Sequence, residues 1–153
     1  ADALAHLPQG PPLRLQIFTG PFAAPGLAAA LTARDPARIR AQAFSTEWRG
    51  WLTAADLSLS MAGYNTCMDL LVTGVPALVW PLGLNREQPL RAELLEARGH
   101  LRRLAAADLA PARLAGIMDA VMQRPPRPAA SVDLDGAAAS AALIEQLARE
   151  VVA

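Results

Sequence analysis

The central stretch of the chain, residues 55–91, constrains the fold more than any other part. It contains two short apolar runs, residues 57–61 and 77–80, and glycine or proline bounds each of them. Gly63 follows the first run, and Gly74 lies between the two runs, where a helix would have to end. We therefore predict the order strand, helix, strand, helix. Tandem βα units of this kind form a parallel sheet, and phosphates and nucleotides bind at its carboxyl edge.

The rest of the chain continues this alternation. Apolar periodicity and the positions of glycine and proline predict further strands at residues 13–19, 39–44 and 101–104. Further helices are predicted at residues 2–7, 26–33 and 45–54, from Asn85 to Ala97, from Pro111, and after Asp133 or Asp135. Alternating strands and helices indicate one α/β domain, residues 1–153. We expect a Rossmann-like, doubly wound parallel sheet in a three-layer α/β/α arrangement.

Burial follows from the same patterns. The two central strands lack polar alternation, as expected when helices cover both faces of a sheet. We therefore expect these strands to bury Ser58, Leu59, Ala77, Leu78 and Val79. In the helix at residues 45–54, Ser45 or Thr46 is the predicted cap. The helical period of the same segment predicts that its buried stripe consists of Trp48, Trp51 and Leu52.

Composition argues against several classes of protein. The chain has 153 residues, of which 53% are hydrophobic, and its formal net charge is zero, so nothing in the charge favours nucleic acid as a partner. Its single cysteine, Cys67, excludes an internal disulfide and a structural zinc site. No apolar run is long enough to span a bilayer, and the start does not resemble a signal peptide. We predict a cytoplasmic domain without metal or cofactor.

The residues around Gly63 suggest a ligand site. Asn65 and Thr66 follow the glycine and can cap the free amides of a helix, which favours an anion site over a simple turn. The turn interpretation nevertheless stays open for Gly63, and Asp69 could be an ordinary solvated helix acid. Cys67 lies where a helix start can favour a thiolate, although a small packed side chain fits the position better.

Three motifs together resemble the C-terminal domain of GT-B glycosyltransferases. They are ADLSLSMAGYNTCMD at residues 55–69, GVPALVWP at residues 74–81 and EQPLRA at residues 87–92. The nearest resemblance is to the family 28 group, which contains the undecaprenyl-muropeptide N-acetylglucosaminyltransferase and an uncharacterised bacterial branch of predicted glycosyltransferases. It covers most of the chain and is strongest at residues 44–91. It implies the GT-B C-terminal fold.

The resemblance also implies a site for a nucleotide-sugar donor. The loop at residues 61–66 would face the diphosphate, Asp69 stands where the family usually has a glutamate for the ribose hydroxyls, and the segment after Phe44 would read the base. The implied nucleotide and phosphate residues are Phe44, Ala62, Gly63, Tyr64, Asn65, Thr66 and Asp69. The implied donor-sugar residues are Glu87, Gln88 and Arg91. Gln88 and Arg91 could equally be surface residues.

The implied activity is that of an inverting hexosyltransferase that uses a nucleotide sugar, expected to be a UDP-sugar, and transfers a hexosyl or N-acetylhexosaminyl group. The family's N-terminal domain, which usually holds the acceptor site and the general base, is not in this sequence, so we predict no catalytic residue here and no transfer by the chain alone. The alternative is a non-catalytic subunit of a split glycosyltransferase that binds donor or docks a partner. A sugar-nucleotide epimerase of the same fold is a more distant alternative.

The start of the domain carries a further expectation. Residues 2–7 resemble the helix that in this family follows a first strand and a glycine-rich loop, so the sheet is expected to lack an internal strand. An exposed sheet edge could then mediate self-association. The intact protein is expected in the cytoplasm. A peripheral position at the inner face of the membrane is the second expectation for it.

Overall fold

The structure, a computed structural model, describes residues 1–7, 13–83, 86–123 and 132–152. In these residues the strands are β1 (Leu15–Phe18), β2 (Ile39–Gln42), β3 (Ser58–Ser60), β4 (Ala77–Val79) and β5 (Arg102–Arg103). The α-helices are α1 (Leu27–Ala33), α2 (Trp48–Ala54), α3 (Tyr64–Thr73), α4 (Glu87–Ala97), α5 (Pro111–Met122) and α6 (Gly136–Val152). Two 3₁₀-helices lie at Asp2–His6 and Ala106–Leu109. The predicted alternation is confirmed, while Asn85 lies outside the described residues.

All described strand pairs are parallel, as predicted. β1 pairs with β2, with Leu15 opposite Ile39, while β4 lies between β3 and β5, with Leu78 opposite both Leu59 and Arg102. The described strands thus form two separate ladders, in the orders β1-β2 and β3-β4-β5. Within the described part of the chain, β1 and β3 therefore each have one edge without a strand partner.

Strand β4 shows how the layers are built. Successive side chains of a strand point to opposite faces of the sheet. Ala77 and Val79 belong to a buried cluster with residues of α2, α3 and α4, whereas Leu78 belongs to a second cluster with residues of α5 and the first 3₁₀-helix. Leu78 and Val79 are fully buried. Helices therefore cover both faces of the sheet, as the three-layer prediction requires.

Two burial predictions are wrong. Leu59 is 48% exposed, although its neighbour Leu78 is fully buried. Among the described residues, strand β3 is at one edge of its ladder, so Leu59 has a strand neighbour on one side only. Trp51 is 42% exposed and packs edge-to-face against Phe18 of β1. The half-buried Trp48 also contacts Phe18 edge-to-face, but it packs against the buried cluster of Ala77 and Val79 as well. Of the predicted stripe, only Leu52 is a fully buried member of the core.

Candidate functional site

The loop between β3 and α3 ends in a helix start that no side chain caps. Gly63 is the N-cap residue of α3, and it has no side chain with which to accept a hydrogen bond. The prediction that Asn65 or Thr66 caps this helix is wrong, because both residues lie inside its first turn. The first backbone N–H groups of a helix have no partner within it and carry a partial positive charge. This helix start can therefore accept an anion.

The backbone at Gly63 does not require a glycine. Its φ of −62° and ψ of 150° are ordinary for any L-residue. A Cβ built at this position would lie 3.7 Å from Oγ1 of Thr66, which is an ordinary van der Waals contact. The interpretation of Gly63 as a turn glycine therefore has no support in the geometry. Its lack of a side chain instead leaves the space in front of the helix open.

Arg91 of α4 supports this loop. Its Nη1 donates a hydrogen bond of 2.9 Å to the carbonyl oxygen of Ala62, and its guanidinium carbon lies 5.4 Å from the ring centroid of Tyr64. Its Nη2 lies 3.9 Å from Oε2 of Glu87. The arginine that was assigned by resemblance to the donor sugar therefore connects α4 to the loop and to the start of α3.

The other two predicted sugar residues lie in the first turn of α4. The N–H of Leu82 donates a hydrogen bond of 3.0 Å to Oε1 of Gln88, which fixes the loop after β4. The side chain of Glu87 is 79% exposed. Because α4 follows β4, both residues lie at the carboxyl edge of the sheet, near the Ala62 loop that Arg91 contacts. Neither of them lines the groove described next.

A groove of about 520 Å³ separates the start of α2 from the start of α3. Its lining residues are Thr46, Glu47, Trp48, Arg49, Gly50, Tyr64, Asn65, Met68 and Asp69. A groove of this size falls within the usual range for small-molecule sites. Three residues predicted from the sequence, Tyr64, Asn65 and Asp69, therefore come together in one concave site. The segment after Phe44 supplies the opposite wall.

The remaining predicted nucleotide residues lie outside the lining of this groove. Phe44 is 70% exposed, whereas Ala62 is fully buried in the loop before α3. Gly63 and Thr66 flank the groove along the chain, next to Tyr64 and Asn65. Of the predicted set, some residues thus line the groove and others lie at the helix start, while Phe44 belongs to neither group.

Sequence reasoning missed Arg49. Its Nε donates a hydrogen bond of 2.7 Å to Oδ1 of Asp69, and it joins α2 to α3 across the groove. The Asp69 side chain is 13% exposed, whereas the Arg49 side chain is 71% exposed. One signal was available, since Arg49 is the only basic residue between Arg40 and Arg86. Its partner could not be deduced, because the pairing depends on how two helices pack.

Cys67 is a core residue. Its side chain is fully buried in the cluster that includes Leu70 and Ala92. Burial raises the pKa of the Cys67 thiol, and the positive charge of Arg91 opposes this in part. A reactive thiolate needs an exposed site and a lowered pKa. The packed-side-chain interpretation is therefore the one that the structure supports.

The described residues contain neither a group of metal-binding side chains nor a membrane-spanning helix. In residues 1–7, 13–83, 86–123 and 132–152, no three His, Cys, Asp or Glu side chains are grouped in a way that could hold a metal ion. Nor is any helix in the same ranges both long enough and apolar enough to cross a membrane.

Parallel strands, helices on both faces and a glycine loop at the carboxyl edge define a Rossmann-like α/β domain. The chain belongs to the glycosyltransferase family 28 C-terminal domain family, whose model matches residues 26–147. The recognition made from the central motifs is thereby confirmed. The Rossmann-like α/β fold class is also confirmed, since the structural neighbours are GT-B glycosyltransferases.

The relatives are longer proteins of one kind. The chain is 35% identical over 151 residues to the UDP-N-acetylglucosamine--N-acetylmuramyl-(pentapeptide) pyrophosphoryl-undecaprenol N-acetylglucosamine transferase of Acidiphilium cryptum, covering 97% of this chain and 40% of that protein. The enzyme of the same name from Rhizobium meliloti is 33% identical over 84 residues, covering 54% of this chain and 22% of that protein. The chain thus spans well under half the length of these relatives.

Two solved structures share the fold. MurG of Acinetobacter baumannii matches with a TM-score of 0.65 and 25% identity, covering 80% of this chain and 35% of that one. The glycotransferase of kitacinnamycin matches with a TM-score of 0.61 and 24% identity, covering 73% of this chain and 27% of that one. The second likeness shows the fold alone.

Proposed function

We propose that this chain is the domain that binds the nucleotide-sugar donor of a glycosyltransferase. The observation that carries the proposal is the uncapped start of α3 beside a groove that contains Asp69, in a chain of this family. The amides of the first turn would bind the diphosphate, and Gly63 would let it approach closely. A binding mode of this kind depends on the backbone and needs no metal ion.

The groove suits the nucleoside part of such a donor. The carboxylate of Asp69 would accept hydrogen bonds from the ribose hydroxyls, and Trp48 and Tyr64 offer aromatic surface to a base. The segment after Phe44, which supplies one wall, would read the base with its backbone. We propose uridine as the base, because the names of the relatives specify a UDP-sugar.

The start of α4 would meet the sugar. Gln88 and Glu87 lie at the same edge of the sheet as the proposed phosphate site, and Arg91 contacts both Glu87 and the carbonyl oxygen of Ala62. We propose a hexosyl or N-acetylhexosaminyl donor and an inverting transfer. The support is the N-acetylglucosamine transfer that the relatives' names specify. The complete protein would determine which donor sugar and which acceptor are used.

The complete protein would supply what this chain does not contain. A doubly wound sheet of strand order 3-2-1-4-5-6 matches the two ladders if one further strand lies between β1 and β3. We propose that this strand and an acceptor domain belong to the full-length protein, as a single donor domain of residues 1–153 plus those parts. Without the acceptor domain the chain would transfer no sugar, and its open strand edges would favour self-association.

We also propose a cytoplasmic location at the inner face of the membrane for the complete protein. The names of the relatives specify an acceptor attached to pyrophosphoryl-undecaprenol, which is a lipid. An enzyme that acts on such an acceptor has to work at a membrane surface. The present chain would hold the water-soluble donor.

A second candidate is a docking subunit of a split glycosyltransferase. The observation in its favour is helix α6, on which Leu143, Ile144 and Leu147 are between 59% and 67% exposed. An apolar stripe on one helix face is typical of a surface that packs against another element. Such a subunit would bind a partner protein through α6. It would not need to bind a nucleotide.

Calorimetric titration with UDP and UDP-N-acetylglucosamine separates these candidates. We expect the parent chain to bind both ligands with dissociation constants of roughly 0.1–1 mM, since exposed amide contacts contribute little each. Asp69→Ala should weaken both ligands, because both carry ribose hydroxyls, whereas Gln88→Ala should weaken only the sugar conjugate. Asp119→Ala on α5 and Gln146→Ala on α6 are matched controls outside the groove. If the parent binds neither ligand, or if both site variants bind as the parent does, the proposed donor site is wrong.

A further inference from the structure

The ion pair with Asp69 occupies only one of the hydrogen-bond donors of the Arg49 side chain. Its Nε donates to Asp69 across 2.7 Å, and this is the only hydrogen bond that its guanidinium makes to the residues the structure describes. A guanidinium carries five N–H donors in a planar fork. Both terminal nitrogens therefore keep their donors for another group. With 71% of the side chain exposed, these donors are accessible from the groove.

The charges that line the groove give Arg49 a special position. Two of the lining residues are acids, Glu47 and Asp69, and Arg49 is the only base among them. A nucleoside diphosphate brings further negative charge into this space. Without Arg49 the two carboxylates would repel it, since like charges in a partly enclosed site oppose binding.

The position of Arg49 also fits the short acid at residue 69. The guanidinium lies against the Asp69 carboxylate and occupies Oδ1, while Oδ2 makes no hydrogen bond to the described residues. One carboxylate oxygen thus remains for a ribose hydroxyl. A planar arginine fork can hold a carboxylate along one edge and a phosphate along another.

From this geometry we infer that Arg49 is a specificity-determining residue of the donor site, which binds a phosphate of the nucleotide with its terminal nitrogens while it holds Asp69 toward the ribose. The inference rests on the proposed function and adds to it the residue that makes the groove select the phosphorylated nucleotide over the free nucleoside. Nucleoside diphosphates are thus the ligand class that the pair recognises. A surface ion pair without a role in binding would show no such preference.

The test compares uridine with UDP, by two-dimensional NMR titration of the 153-residue chain. We expect Arg49→Gln to lower the affinity for UDP about tenfold, or about 1.4 kcal/mol, and to change the affinity for uridine far less. Arg49→Lys keeps the charge but lacks the fork, so its loss for UDP should be smaller. Arg38→Gln is the matched control, because Arg38 likewise donates from Nε to a carboxylate, that of Asp35, across 2.6 Å, outside the groove. It should bind both ligands as the parent does.

The outcomes separate the two claims. If the parent binds UDP and Arg49→Gln weakens UDP and uridine by the same factor, Arg49 only positions Asp69 and the inference is overturned. It is also overturned if neither ligand is affected. If the parent binds neither ligand, the proposed function fails and the inference fails with it. Thermal unfolding of each variant shows whether it is folded, and the lysine variant decides the question should the glutamine variant be unfolded.

Discussion

Arg91 of α4 donates a 2.9 Å hydrogen bond from Nη1 to the carbonyl oxygen of Ala62, the residue before the N-cap of α3. The side chain of Arg91 is 21% exposed and its guanidinium also lies over the ring of Tyr64. Helix α4 therefore holds the loop that aims the first-turn amides of α3. A residue that resemblance assigns to the sugar thus has a structural task at the end of the site where we propose that the phosphates bind.

Replacement of Arg91 by methionine should loosen this loop without unfolding the domain. The lost hydrogen bond to Ala62, which is part-buried, should cost about 1 kcal/mol of unfolding free energy. We expect faster amide exchange at residues 61–66 and weaker UDP binding. Arg98→Met is the matched control, since the side chain of Arg98, the C-cap residue of α4, donates among the described residues only to the carbonyl oxygen of Leu94. Unchanged exchange in the Arg91 variant would contradict the supporting role.

Gly63→Ala should separate binding from folding. Its backbone is ordinary for alanine and the added Cβ would have room, so the midpoint of thermal unfolding should fall little or not at all. The methyl group would stand in front of the first-turn amides, and we expect UDP binding to fall about tenfold or more. Gly116→Ala, in the interior of α5, should leave binding unchanged. A variant of Gly63 that binds UDP as the parent does would restore the turn interpretation.

Cys67 should resist alkylation in the folded chain. Its thiol is fully buried, and burial raises its pKa, so little thiolate is available and none of it is accessible. At about pH 8 we expect iodoacetamide to react only through transient opening of the core, and therefore faster in urea. Mass spectrometry of the modified chain measures the rate. Rapid and complete modification under native conditions would show that Cys67 is a reactive residue after all.

Asp108 should make the domain sensitive to acid. Hydrogen bonds from the N–H of Ala105 and from Nε of Arg113 lower the pKa of its carboxyl in the folded chain. Folding therefore favours the ionised form. The stability that this provides is fully present above the unfolded pKa of about 3.9 and is lost as the pH falls through the lower folded value.

Urea unfolding between about pH 2 and 5 tests this. Asp108→Asn should be less stable than the parent at the upper end of this range, and the difference should shrink toward the lower end. Arg113→Gln removes only the hydrogen bond from Arg113 and leaves the one from Ala105. Its loss of stability at the upper end of the range should therefore be smaller than that of Asp108→Asn. A difference between Asp108→Asn and the parent that stays constant with pH would contradict the assignment.

Much of this fold was predictable because its signals are local. Gly74, for example, ends α3 in the left-handed conformation, with φ of +67°, where glycine is favoured. Burial at an edge was not predictable: Leu59 has the same apolar character as Leu78, and only the absence of a described neighbour beyond β3 separates them. The capping predictions for α3 failed because the cap residue is the glycine itself.

In the candidate site, too, the local features were predictable from the sequence and the contacts between distant segments were not. Tyr64, Asn65 and Asp69 were found because the motif around Gly63, which is continuous in the chain, resembles the family's donor site. Arg49 was missed because its partner is 20 positions away, on another helix. A pattern in the chain indicates which residues share a helix, but the contact between two helices depends on packing that no short motif encodes.

We propose that the start of α3 and the adjoining groove form one site for a nucleoside diphosphate. Titration of the ¹⁵N-labelled chain with UDP, followed residue by residue, tests it most directly. We expect saturable shifts concentrated at the amides of residues 61–69 and at the Arg49 side chain, with one dissociation constant in the range of roughly 0.1–1 mM. Shifts confined to other parts of the chain, or none at UDP concentrations far above that range, would contradict it.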